Sequence, residues 1–196
     1  MEAQILDLAR GIISLFLIVD PLGNIPIFIS LTRDLSEKDR WRAFETAVIT
    51  GFSLLLMFSV AGRWVLELFN ITLESFKVAG GALLIVLAFQ LLTKNELEEP
   101  GSPEESGVVP LGIPLLAGPG AITTTIVSLE TIGTILTLIS VIVVAALTWL
   151  ILRFINPIYR FLGRTGSLII SKIMAMLIAA IAVQYMLEGI MEYLAG

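Results

Sequence analysis

Asp20, Pro21, Gly23 and Asn24 interrupt the first apolar stretch of the chain. Gly118, Pro119, Gly120 and Ala121, followed by Thr123, Thr124 and Thr125, interrupt a later one. Proline lacks an amide hydrogen and biases the residue before it away from helix, so Asp20-Pro21 and Gly118-Pro119 are predicted unwinding points. Where a helix stops and restarts, the ending half offers free carbonyls that suit an ammonium group or another cation. The restarting half offers free N–H groups and the positive end of its dipole, which suit a carboxylate. A pocket holding both kinds of group is complementary to a zwitterion such as an amino acid. The glycines and Ala121 leave room and supply no large specificity group, so small neutral side chains fit best.

Asp20 is the only carboxylate that the span assignment below places near the bilayer middle, where a charge is costly and is read first as functional. Two roles are open to it: capping the resumed half-helix near Asn24, or binding a substrate ammonium or a coupling cation. The threonines supply hydroxyls at the second break, at least one of which is expected to bond back to its own helix. Gln90 and Gln184 are amides within apolar helices and either line the pocket or bridge helices. Gly80-Gly81, between Ala79 and Ala82, reads as a close-packing face, and Glu188 and Glu192 as solvated residues at a helix end.

These residues must be positioned by membrane-spanning helices. Of 196 residues, 57% are hydrophobic and 15% charged, and the mean hydropathy of +0.95 exceeds what a soluble domain of this size usually carries. An all-α integral membrane protein is predicted, forming a single transmembrane domain over residues 1–196. At roughly 20 residues per crossing, six spans are expected: Ile5–Leu31 with the first break, Ala43–Ala61, Leu73–Thr93, Val108–Leu129 with the second break, Thr131–Leu152 and Leu168–Leu187. Between Gly62 and Ser75 the pattern reads as the end of a long second helix and an interfacial turn, with Trp64 at the membrane boundary. The N-terminus lacks the basic start and cleavage site of a secretory signal, so the first span is expected to be retained.

Segments 20–31 and 118–129 align without a gap, placing Pro21 on Pro119, Ser30 on Ser128 and Leu31 on Leu129. Aligning Gln90 with Gln184 likewise puts Leu83 on Leu177 and Ala88 on Ala182. Two three-span repeats are implied, about 1–95 and 107–196, joined by an acidic tether over 94–107 that contains Glu96, Glu98, Glu99, Glu104 and Glu105. Three spans per half force the second half to enter the membrane from the opposite side, so the repeats are inverted. Loop charges agree: Arg33, Lys38, Arg40, Arg42, Lys94, Arg153, Arg160 and Arg164 fall on one side, and Arg10, Arg63 and Lys77 on the other. By the positive-inside rule both termini face outward.

The chain contains no cysteine and no histidine. Disulfides, thiol chemistry and the usual zinc and haem ligand sets are excluded, and no metal or cofactor is expected. No basic tract offers a nucleic-acid footprint. Aspartyl chemistry within the membrane needs two carboxylates sharing a site, and only Asp20 lies deep, which argues against an enzyme.

At Asp20-Pro21-Leu22-Gly23-Asn24-Ile25-Pro26-Ile27-Phe28 and at Pro114-Leu115-Leu116-Ala117-Gly118-Pro119-Gly120-Ala121-Ile122 the sequence resembles the MarC family, in length, span count and both motifs. The resemblance implies a six-span inner-membrane protein related in broad architecture to amino-acid exporters. It further implies transport of small neutral amino acids such as glycine and alanine, coupled to protons, with a sodium ion as the alternative. The expected site is then Asp20, Pro21, Gly23, Asn24, Gly118, Pro119, Gly120, Ala121, Thr123 and Thr124, with Asp20 as the coupling residue. An exporter or channel for other small solutes or amphiphiles is the competing reading, and it would want a wider or more continuous polar path than the sequence shows. Direction of transport and oligomeric state stay open.

Overall fold

Aspartate and proline set the first interruption. Helix α1, Glu2–Val19, stops where Pro21 disfavours helix at the preceding residue, and Asp20 turns into the left-handed region with φ 42°. After a turn over 21–24 the chain resumes as α2, Ile25–Leu31, with Pro26 in the first turn, where a missing amide hydrogen costs nothing. The structure, a computed structural model, describes residues 2–32, 35–93 and 116–195. The acidic tether, the basic residues Arg33 and Lys94, and the opening of the expected fourth span lie outside the described residues.

The long helix α3, Glu37–Leu68, begins at Ser36, whose hydroxyl accepts from the Asp39 amide at 3.2 Å, with Glu37 and Asp39 in the first turn complementing the dipole. It ends where Asn70 takes a left-handed conformation (φ 51°), the Asn70 amide donating to the Glu67 carbonyl and the Ile71 amide to that of Leu66. At 32 residues it extends beyond the expected Ala43–Ala61 at both ends, because hydropathy marks the lipid-buried part of a helix and not where its hydrogen bonds stop. Trp64 stands exposed on its outer surface. Helix α4, Leu73–Thr93, coincides with the expected third span.

Helix α5, Pro119–Ile132, is separated from α6, Thr134–Arg153, by Gly133 alone, which turns the chain at φ 83°. The last helix, α7, Ile155–Ala195, bends at Gly163 (φ 63°), and its straight part continues to Ala195, past the expected end at Leu187. Among the described residues, four helices are long and apolar enough to cross a membrane: α3, α4, α6 and the Thr165–Ala195 part of α7. The other two expected spans do not qualify as single helices among the described residues. The turn at 20–24 divides the first, and only α5, with 14 residues, is described of the fourth. No strand occurs among the described residues.

Most of α5 is buried, and α1, α3, α4 and α6 pack around it. Small residues set the closest approaches. A Cβ on Gly80 would fall on Thr123, one on Gly81 would lie 2.6 Å from the Ala182 carbonyl, and one on Gly189 would lie 2.6 Å from that of Glu74. These last two contacts make α4 and α7 antiparallel and pack their backbones together, as small residues do between helices in lipid. Gly81→Val is therefore expected to lower stability in detergent by about 1–3 kcal/mol, the usual cost of overpacking a filled interface. A fall in the thermal unfolding midpoint reads this out, with Ile49→Leu on the lipid-facing surface as the neutral control.

Candidate functional site

The turn after α1 satisfies nearly all of its own polar groups. Asp20 Oδ1 accepts the Gly23 amide at 3.0 Å, the Asn24 amide donates to the Asp20 carbonyl at 3.1 Å, and the Asn24 side chain donates to the Val19 carbonyl at 3.1 Å. Asp20 is 3% exposed, and its second oxygen, Oδ2, has no hydrogen-bond partner among the described residues. Gly23 cannot be larger, because a Cβ there would fall on the Asp20 carboxylate. Pro21 is buried beside it.

The start of α5 places a different kind of group nearby. Helix α5 starts at Pro119 after Gly118, whose backbone is extended and which supplies no side-chain cap. The first intrahelical bond runs from the Ile122 amide to the Gly118 carbonyl, so helix geometry leaves the amides of Gly120 and Ala121 unused. Asp20, Asn24, Gln90 and the run Gly118–Ala121 line one cavity of about 830 Å³, walled otherwise by apolar residues such as Ile18 and Leu87. Asp20 and the positive end of a helix dipole thus line a single space.

The remaining expected site residues are distributed unevenly. Pro21 and Gly23 shape the turn and do not line the cavity. The Thr123 hydroxyl donates to the Pro119 carbonyl at 2.9 Å, and that of Thr125 to Ala121 at 2.8 Å, both back to their own helix. The Thr124 hydroxyl is fully buried and unpartnered. Gln184 lies apart from Gln90, lines a second cavity, and donates to Glu188 at 2.6 Å. No group of acidic residues among the described ones could hold a metal ion.

The MarC family model, described as "MarC family integral membrane protein", matches residues 6–194. The chain belongs to the MarC family. It is 37% identical to a "UPF0056 membrane protein" of Archaeoglobus fulgidus, across 92% of this chain and 91% of the relative. It is 33% identical to "UPF0056 membrane protein MJ1677" of Methanocaldococcus jannaschii (97% and 98%), and 35% identical to "UPF0056 membrane protein YhcE" of Escherichia coli K12 (91% and 89%). No solved structure matches the chain. With four crossing helices described, this MarC protein is a multi-pass integral membrane protein.

The structure also holds polar contacts between distant segments. The Lys77 side chain, 3% exposed, donates to both Glu192 oxygens at 2.7 and 2.8 Å and stands 3.9 Å from Glu188. Glu188 and Glu192, expected to be solvated, are thus half-exposed partners of a buried ammonium. Their spacing puts both on one face of α7, the only sequence signal that they act together. Arg63 holds Glu130 through two hydrogen bonds, at 2.9 and 2.6 Å, and the Arg153 guanidinium lies 4.4 Å over the Trp41 ring.

Removing the two sides of the Lys77 cluster should have unequal effects. Lys77→Met fills the same space and leaves two half-exposed carboxylates in contact with water, so the stability change should stay within about 1 kcal/mol. The double change Glu188→Ala and Glu192→Ala leaves the buried ammonium unpaired, at a cost of about 3 kcal/mol or more. Thermal unfolding of the two variants in one detergent checks the order.

Proposed function

We propose that this MarC protein is a secondary transporter of small neutral amino acids of the glycine and alanine class, coupled to protons. The carrying observation is the cavity lined both by Asp20, whose Oδ2 has no partner among the described residues, and by the uncapped start of α5. The carboxylate suits the substrate ammonium, and the free amides of Gly120 and Ala121 suit its carboxylate. Gly118, Gly120 and Ala121 bring no large side chain to the cavity. A Cβ at Gly120 would lie 2.6 Å from Leu84, so the first turn of α5 packs tightly on α4.

Asp20 is the coupling residue in this reading. Protonation removes a charge that is costly within the membrane, and it weakens the hold of the carboxyl on the substrate ammonium. The protein works as two inverted three-span halves that rock about the broken spans. The antiparallel contact of α4 with α7 and the matched Gln90 and Gln184 positions support that arrangement. The loop charges support a cell inner-membrane location with both termini outside.

Purified protein should melt at a higher temperature with glycine or alanine. A ligand present at about a hundred times its Kd adds about 2.7 kcal/mol to the state it binds. No stabilisation by any small neutral amino acid would overturn the substrate assignment. In proteoliposomes an imposed pH gradient should drive uptake of labelled glycine, and Asp20→Asn should abolish the response to the gradient. An unchanged response in Asp20→Asn removes the coupling role.

A further inference from the structure

The molecule contains a second cavity, of about 720 Å³, lined by the first half of α1, the end of α5 and the second half of α7, with Ser14, Ser128, Gln184 and Tyr185 among its polar residues. The sequence register that places Gln90 on Gln184 also places Val86 on Ala180, Leu87 on Ile181 and Leu91 on Tyr185. The first member of each pair lines the cavity of the Asp20 site, and the second lines the other cavity. Equivalent helices of the two repeats therefore present the same positions to two separate spaces. Both sets lie in the C-terminal halves of their helices. Because α4 and α7 run antiparallel, the two cavities open toward opposite ends of the bundle. Along α5 the order agrees, with residues 118–121 in one cavity and residues 127–132 in the other.

We propose that the Gln184 cavity is the second mouth of the transport path, the internal symmetry mate of the Asp20 cavity on the other face of the membrane. The barrier between them is built by Tyr185 against Thr124. This proposal rests on the transporter reading above and adds the route through the protein. Thr124 lies on α5 between the two lining segments, is fully buried, and carries an unpartnered hydroxyl. The Tyr185 hydroxyl lies beside it. The repeat counterpart of Tyr185 is Leu91, which has no hydroxyl, so the barrier is polar on the side of the Gln184 cavity alone. A zwitterion leaving the Asp20 site meets next the Thr124 and Tyr185 hydroxyls, then Ser128, Ser14 and the Gln184 amide.

The absence of cysteine from the chain allows single-cysteine labelling with a membrane-impermeant maleimide, in right-side-out and inverted vesicles. Ser14→Cys and Thr131→Cys report the Gln184 cavity, and Gln90→Cys and Thr93→Cys the Asp20 cavity. Using two positions per cavity guards against a variant that fails to fold. The two pairs should react from opposite faces, and saturating glycine should speed one pair while slowing the other. Labelling of both pairs from one face overturns the proposal even if glycine is transported. Labelling from opposite faces that glycine leaves unchanged keeps the two mouths and refutes the substrate instead. For the barrier, Thr124→Cys should be inert from the Ser14 face and become as reactive as Ser14→Cys when Tyr185→Ala is added. Continued inertness removes Tyr185 from the barrier.

Discussion

In hydrocarbon there is no water to accept a stray amide or carbonyl, so a chain can leave the helix only where the protein supplies every missing partner. The turn at residues 20–24 meets that requirement almost entirely from within. Pro21 displaces Asp20 from the helix. One oxygen of the displaced carboxylate then holds the Gly23 amide, and the Asn24 side chain returns to cover the Val19 carbonyl. Among the buried side-chain atoms of the turn, the one left without a partner is Oδ2. Had several side chains satisfied the turn, no such unpartnered oxygen would remain. The chemistry of the site thus follows from the accounting of one turn.

The same accounting shows which features could be read from sequence. Asp20-Pro21 announces the turn after α1 and Gly118-Pro119 the start of α5, because proline acts on its immediate neighbours. Helix α4 was legible in full because Thr72 and the end of the apolar run coincide with its limits. Helix α3 was legible only in its middle: its ends are set by Ser36 and by a left-handed Asn70, local devices that lie outside the apolar window. The extension of α7 was hidden likewise, since its last turns carry Glu188 and Glu192, which look like a solvated exit until Lys77 is found beneath them. That pair spans 115 residues of sequence, and no periodicity within one helix could reveal it.

The candidate site was legible in its residue types and less so in how they share roles. Asp20, Asn24, Gln90 and Gly118–Ala121 meet in one cavity, while Pro21 and Gly23 act on the turn and Gln184 serves a separate space. The threonines divide by where α5 aims each side chain. Thr123 and Thr125 turn to their own backbone, and Thr124, between them, points into the interior.

That habit of turning inward extends through the bundle. Thr32, Ser59, Thr123, Thr125, Thr131, Thr137 and Ser140 each donate to a carbonyl one turn earlier in the same helix. Among the described residues, the side-chain hydrogen bonds that join one helix to another are Arg63 with Glu130 and Lys77 with Glu192. In lipid, shape and cross-helix hydrogen bonds are what hold neighbouring helices together. The helices of this bundle are therefore held to one another chiefly by shape, and their side-chain hydrogen bonds across helices are confined, among the described residues, to these two charged pairs.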